Sequence, residues 1–265
     1  MKHLSLFSLL VTFLLVSCAP RPASEPVTLN IFAAASLSEP FDEIGKLFES
    51  AHPGTVAAFN FAGSQQLAQQ IIEGAPVDVF ASANARQMDE VIEAGWIEDD
   101  SQQIFATNSL VVVLPQDNPA VLDELGDLTR PGLKLVFAAQ EVPVGQYSLD
   151  FLDKASANPA FGLTYRDDVL KNVVSYEDNV KAVLTKVVLG EADAGIVYAS
   201  DISGANTASV IRLEIPEALN VIAAYPIAPV IESKSPDLAQ VFIELVTSPE
   251  GQAILEKYHF TPAVR

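Results

Sequence analysis

The 265 residues are 49% hydrophobic and 18% charged, so the chain is long and apolar enough to bury a core, and this composition excludes a disordered protein. The formal net charge of −19 argues against nucleic acid and anionic membrane surfaces as partners, because binding to either depends on Lys and Arg.

The first residues predict export. Residues 1–17 contain Lys2 and an uncharged apolar stretch, 4–16, which is too short to span a bilayer, so we interpret them as a signal peptide. The stretch ends in "LLVSCAP", which resembles a bacterial lipobox, and this resemblance implies that Cys18 is lipidated and becomes the new N-terminus. The alternative is a signal peptide that happens to contain the chain's single cysteine. Residues 18–27, rich in proline, then form a tether, so we expect an exported protein, anchored by lipid at the outer face or periplasmic side of the cell membrane.

Beyond the tether, short strands alternate with helices, which predicts an α/β protein with mainly parallel sheets. "VTLNIFAA" is the first strand and "TVAAFNFAGS" the second, and each runs through small residues into a serine and a helix. Ser36 and Ser38 are both candidates for the cap of the first helix, and Glu39 fits a capping box with Ser36. "VDVFASA", "SLVVVLP", "LKLVFAA", "NVVS" and "ADAGIVYAS" are further strands.

Two later segments carry specific signals. "DNVKAVLTKVVLG" has apolar residues at helical spacing, with Asp178 or Asn179 as cap and Gly190 as terminator. "NVIAAYPIAPVI" contains two prolines, which favours an edge or crossing strand over a central one. Two helices that open with Ser-Pro close the chain.

The chemistry available is narrow. His52 and His259 lie in no catalytic pattern, no G-x-S-x-G elbow is present, and the sequence contains neither a calcium loop nor a zinc or phosphate-loop motif. Several strand ends lead into helix starts, where unpaired N–H groups and the helix dipole favour an anion. Ser36 and Ser64 either cap helices or donate to a small anion in a cleft, and the sequence by itself leaves both readings open.

The segments "AAASL", "GSQQLAQQI", "GAPVDVFASA", "NSLVVVLP", "VPVGQY", "NVKAVL", "GEADAGIVYASD" and "YPIAPV" resemble, in order and spacing, the substrate-binding protein of molybdate ABC importers. The resemblance implies a type II periplasmic binding fold. It has two α/β lobes, each a mainly parallel sheet flanked by helices, joined by two crossing strands. Residues 28–108 plus 223–265 would form the first lobe and residues 109–222 the second.

The resemblance also implies a site and a role. Two departures from the family pattern are Gln65, where relatives often carry a second serine, and a valine at position 144, where they often carry alanine. The implied protein captures molybdate and tungstate as a monomer, without cofactor, catalysis or direct cation ligands, and delivers the oxyanion to a membrane permease and its ATPase. Alternatives are a receptor for sulfate or another tetrahedral oxyanion, a secreted serine hydrolase that uses one of the serines, and a sensor domain. The implied oxyanion ligands are Ser36, Ser64, Val144, Val180 and Tyr198.

Overall fold

The structure is a computed structural model that describes residues 26–203 and 207–262. The predicted signal peptide and Cys18 lie outside the described residues. Within these two ranges, no helix is long and apolar enough to cross a membrane. The strands are β1 (Val27–Ala34), β2 (Thr55–Ala62), β3 (Val79–Ala81), β4 (Gln103–Asn108), β5 (Leu110–Pro115), β6 (Leu135–Ala138), β7 (Val173–Glu177), β8 (Ala194–Tyr198), β9 (Val210–Glu214), β10 (Ala223–Pro229) and β11 (Thr261–Pro262). The helices are α1 (Ser38–Ala51), α2 (Ser64–Ile72), α3 (Ala85–Glu93), α4 (Pro143–Ala157), α5 (Tyr165–Leu170), α6 (Val180–Val188), α7 (Pro236–Thr247) and α8 (Pro249–Lys257).

The strands form two sheets flanked by helices, which confirms the expected two-lobe α/β architecture. The first sheet has the order β11-β4-β10-β3-β1-β2, and the second has the order β7-β6-β8-β5-β9. Both sheets are mixed: parallel pairing is confined to β2-β1-β3 and β7-β6-β8. In the first sheet β4 leads the chain out and β10 leads it back, and these two neighbouring strands are antiparallel. Strands β4 and β9 and helix α5 were absent from the sequence prediction.

The position of β10 corrects the sequence prediction. It pairs with β3 on one side and β4 on the other, so it lies inside the sheet and not at its edge. The two prolines are tolerated because the register shifts between Tyr225 and Pro226, and because Pro229 is the last residue of the strand. A proline at a bulge or a strand end removes no essential ladder hydrogen bond.

The start of α1 corrects a second prediction, since neither serine caps this helix. A 3-10 turn over Ala35–Leu37 precedes α1. The N-cap position of α1 is Leu37, which has helical dihedral angles and makes no side-chain capping hydrogen bond. Ser38 is the first helical residue, and the hydroxyl of Ser36 pairs with the phenol of Tyr225 instead. Glu39 accepts a hydrogen bond from Ser203 of the second lobe, so it does not close a capping box.

Helix α6 follows its sequence signals closely. The side chain of Asn179 accepts a hydrogen bond from the N–H of Ala182 at 3.0 Å, which settles the choice of cap. The apolar stripe from Val180 to Val187 is buried, and Gly190 ends the helix with a φ of +70°. The helix therefore packs one face on the second sheet and directs its N-terminus towards the first lobe.

The two crossing segments are held together where the lobes meet. The chain leaves the first sheet at Asn108 and enters the second at Leu110, and it returns through residues 215–222. The side-chain amide of Asn220 accepts from the N–H of Leu110 at 2.9 Å and donates to its carbonyl at 2.8 Å. This paired contact fixes the return segment against the outgoing one.

Candidate functional site

One small cavity lies between the lobes, and all five predicted ligand residues line it. Its empty space is about 210 Å³, including the part open to solvent. The space is small, so this cavity suits a compact ligand of a few heavy atoms. The lining residues are Ala34, Ala35, Ser36, Ala62, Gly63, Ser64, Ala83, Val142, Pro143, Val144, Asn179, Val180 and Tyr198.

The first lobe contributes the two serines from adjacent parallel strands. Strand β1 pairs with β2 along its whole length, with Ala34 opposite Ala62, so both strands end at the same edge of the sheet. Ser36 follows β1 in the 3-10 turn, and Ser64 is the first residue of α2 after β2. Small residues at the strand ends leave room for a ligand to approach the backbone. The repeated strand, small residue and serine pattern thus places two hydroxyl groups at one cavity.

Three helices begin at this cavity. Helix α2 starts at Ser64, α4 at Pro143 and α6 at Val180. The first N–H groups of a helix have no partner inside it, and they lie at the positive end of the helix dipole. Pro143 has no N–H, so Val144 is the first residue of α4 that can donate. The valines predicted as ligands therefore offer backbone donors, and their side chains are buried.

Tyr198 ends β8 and places its phenol in the same cavity. The residue is 1% exposed, and its hydroxyl makes no hydrogen bond of acceptable geometry to any described residue. Burial raises the pKa of Tyr198 well above its ordinary value, so the phenol keeps its proton. An unpaired buried hydroxyl costs free energy, which a ligand that accepts its proton would recover.

The lining is neutral. Among the described residues that line the cavity, none is acidic or basic, and the side-chain carbonyl of Asn179 is already used to cap α6. The remaining polar side-chain groups, and the N–H groups at the helix N-termini, can donate. Such a set suits an anion whose oxygens all accept hydrogen bonds, and it avoids the cost of burying a cation.

The serines are poorly placed for nucleophilic catalysis. The Ser36 hydroxyl lies 2.9 Å from the phenol oxygen of Tyr225, and burial raises the pKa of that phenol above its ordinary value. The Ser64 hydroxyl accepts the N–H of Ala83 at 3.0 Å. Neither partner can remove a proton from serine near neutral pH, so the hydrolase alternative lacks a general base.

Several residues that shape the site were missing from the sequence prediction. The side chain of Gln65 donates to the carbonyl oxygen of Asp178 at 3.0 Å, and this hydrogen bond joins the two lobes at the cavity. A Cβ on Gly63 would lie 2.5 Å from the same oxygen, so only glycine allows this approach. The glutamine was noted only as a departure from the family pattern, and its spacing carries no signal of a contact across 113 residues.

Known proteins of similar sequence identify the family of this chain. Residues 29–261 match the family model described as bacterial extracellular solute-binding protein. The chain belongs to this family. It is 39% identical over 254 residues to "Molybdate-binding protein ModA" of Mycobacterium tuberculosis (strain ATCC 25618 / H37Rv), a match that covers 93% of this chain and 92% of the relative. It is 30% identical to "Molybdate-binding protein ModA" of Escherichia coli (strain K12), with 88% of each chain covered.

Solved structures agree on the fold. The periplasmic molybdate-binding protein of Azotobacter vinelandii has a TM-score of 0.75 at 19% identity, and the match covers 88% of this chain and 98% of that one. The sulfate-binding protein SubI from Mycobacterium tuberculosis H37Rv has a TM-score of 0.79 at 16% identity, covering 90% and 88%. The resemblance to molybdate-binding proteins predicted from the sequence is confirmed. These relatives are named as binding proteins, so the family is one of solute binding and not of catalysis.

Proposed function

We propose that this solute-binding protein captures molybdate, and also tungstate, between its lobes and delivers it to the permease and ATPase of an ABC importer. The observation that carries the proposal is the neutral donor set of the cavity: two serine hydroxyls, three helix N-termini and a phenol that makes no hydrogen bond of acceptable geometry within the described part of the chain. The names of the 39% and 30% identical relatives support molybdate as the ligand.

The donor set is matched to a fully ionised tetrahedral dianion. Such an ion accepts at every oxygen and has no proton to give, so hydroxyl and N–H donors alone can satisfy it. An ion that keeps a proton, such as hydrogenphosphate, prefers a carboxylate as acceptor, and the described residues that line this cavity include none. Under this proposal Ser36 and Ser64 donate through hydroxyl and backbone N–H, Val144 and Val180 through backbone N–H, and Tyr198 through its phenol.

Closure of the lobes is part of the same proposal. The ligand would contact Ser36 and Ser64 in the first lobe and the other three residues in the second, so it binds the closed state more tightly than an open one. The hydrogen bond between Gln65 and Asp178 adds a direct contact that exists only when the lobes meet. The proposed lobes are residues 28–108 plus 223–265 and residues 109–222, and the strand membership of the two sheets supports this division.

Calorimetric titration of the mature protein tests the ligand. We expect tight binding of molybdate and tungstate at micromolar or lower concentration, one ion per monomer, and no tight hydrogenphosphate binding. Tight sulfate binding with no molybdate binding would replace the proposal by a sulfate receptor, since the same donors suit both ions.

The lipid anchor is tested separately. We propose that Cys18 carries the lipid and residues 18–27 the tether, which keeps the protein beside its permease. In cells, Cys18→Ala should release the protein from the membrane fraction without changing its molybdate affinity. Membrane retention of the Cys18→Ala variant would contradict the anchor and leave the ligand assignment untouched.

A further inference from the structure

A chain of polar side chains runs from the junction of the lobes to the cavity. The side-chain amide nitrogen of Asn108 lies 2.8 Å from the hydroxyl of Ser200 and 3.5 Å from the phenol oxygen of Tyr225. That phenol oxygen lies 2.9 Å from the hydroxyl of Ser36. All four residues are buried, and the contacts connect the end of β4, the second lobe, β10 and the first ligand serine.

The orientation of the Asn108 amide can be derived from one backbone group. The side-chain oxygen of Asn108 lies 3.0 Å from the N–H of Ser109, and a backbone N–H can only donate. The amide oxygen therefore faces Ser109, and the amide nitrogen, which only donates, faces Ser200 and Tyr225. Its two hydrogens serve these two oxygens.

The same logic extends to the ligand. Because the phenol oxygen of Tyr225 accepts from Asn108, its single proton is free to be donated to Ser36. In that direction, Ser36 accepts from Tyr225 and keeps its own proton for the cavity. If the chain ran in the reverse direction, Ser36 would spend its proton on Tyr225 and would present only lone pairs to an anion.

We propose that Asn108 and Tyr225 are positioning residues that fix the polarity of Ser36, so that its hydroxyl donates to a tetrahedral oxyanion. This inference rests on the proposed function, and it deepens it by explaining why the site favours an ion that only accepts. Neither residue needs to touch the ligand. Their effect is to orient one proton.

A reversal of the amide tests the direction. Asn108→Asp keeps the shape of the side chain and replaces the donor by a carboxylate, so Tyr225 would donate to Asp and Ser36 would have to donate to Tyr225. Molybdate affinity should fall at least about 50-fold. Ser36 would lose its hydrogen bond to the anion and turn its lone pairs towards it, and the carboxylate would add a negative charge nearby. The added negative charge also repels the anion directly, so a second variant is needed to separate this repulsion from the change in hydrogen-bond direction.

Tyr225→Phe supplies that background, because it cuts the chain next to Ser36. By itself it should weaken molybdate binding only about two- to fivefold, since the freed serine can still donate. Added to Asn108→Asp, it should restore at least about fivefold of the lost affinity, because only the through-space charge then remains. A merely structural role predicts the opposite, a further loss from the second substitution.

Two further measurements keep the test decisive. Tyr165→Phe removes another buried phenol, one that donates to the carbonyl of Leu125 at 2.7 Å in the second lobe, and it should leave molybdate affinity unchanged. If Asn108→Asp does not fold, a cycle of Tyr225→Phe and Ser36→Ala replaces it, and the effect of Tyr225→Phe should vanish once Ser36 is absent. If the losses of molybdate affinity from the two substitutions simply add, in either pair of variants, the inference is wrong while the proposed function stands. An unsubstituted protein that binds no tetrahedral oxyanion overturns both.

Discussion

Replacing Tyr198 by phenylalanine should move ligand affinity and protein stability in different directions. The phenol is buried and makes no acceptable hydrogen bond to a described residue, so the ligand-free protein carries the cost of an unsatisfied polar group. Such a group costs about 1–3 kcal/mol. Tyr198→Phe removes the hydroxyl and keeps the ring, so the free energy of unfolding without ligand should stay the same or rise by up to about 2 kcal/mol.

The effect on binding has the opposite sign. A hydrogen bond to a charged group contributes about 1.5–3 kcal/mol, so losing the phenol donor should weaken molybdate binding about 10- to 150-fold. Because burial raises the pKa of Tyr198, the wild-type phenol stays protonated, and its contribution should be constant from about pH 6 to about pH 9. Calorimetric titration measures the affinity, and urea unfolding without ligand measures the stability.

The matched control is Tyr165→Phe, in which the lost phenol had a partner. Its removal leaves the carbonyl of Leu125 without that hydrogen bond, so stability should fall by about 1–3 kcal/mol while affinity is unchanged. An unchanged affinity in Tyr198→Phe would refute the role of the phenol as a ligand donor. If Tyr198→Phe lowers the free energy of unfolding without ligand by more than about 1 kcal/mol, the Tyr198 hydroxyl has a hydrogen-bond partner in the free protein.

Three other predictions concern the same cleft and its support. Ser64→Ala should weaken molybdate binding about tenfold and also lower the free energy of unfolding by about 1–3 kcal/mol, because the hydroxyl accepts a buried backbone N–H. Gly63→Ala should weaken binding at least about fivefold, because its Cβ would lie 2.5 Å from the carbonyl oxygen of Asp178 across the cleft and 2.5 Å from the side-chain oxygen of Gln65. Small-angle X-ray scattering should show a more open protein with ligand. Burial raises the pKa of Glu177, but hydrogen bonds from Lys186 and a serine lower this pKa to below its ordinary value. The free energy of unfolding should therefore fall as the pH drops below about 5. Lys186→Met should reduce this pH dependence, as measured by urea unfolding.

Each of these has a distinct contrary outcome. Full stability in Ser64→Ala would show that the N–H of Ala83 finds another partner. Wild-type affinity in Gly63→Ala would mean that closure does not bring this glycine against the second lobe. The pH slope has a simple sign: the unfolded Glu177 binds its proton at a higher pH than the folded one, so protonation favours unfolding. An unaltered slope in Lys186→Met would assign acid sensitivity to other carboxyl groups.

Local patterns in the sequence were sufficient for the elements that place the site. The strand, small residue and serine motif occurs twice, and parallel pairing brings both copies to one sheet edge, so Ser36 and Ser64 could be placed together before any coordinates. Periodicity and caps located α6 with its N-terminal valine. The choice of Val144 and Tyr198 came from the resemblance to a family, since a valine or a strand-end tyrosine has no distinctive local signal.

The tertiary structure alone decided what each polar group does. Ser36 and Tyr225 are 189 residues apart, so no local pattern could show that their hydroxyls meet or that Ser36 is not a helix cap. Strand β10 can lie inside the sheet because the register shifts at Pro226. The general preference of proline for edge strands does not predict this shift. The sequence by itself therefore determined the elements that place the site and their donor chemistry, because these depend on near neighbours. Packing decided the mixed sheets, the contact of Gly63 and Gln65 with Asp178 and the polarity of the chain behind Ser36, because these depend on groups brought together only by folding.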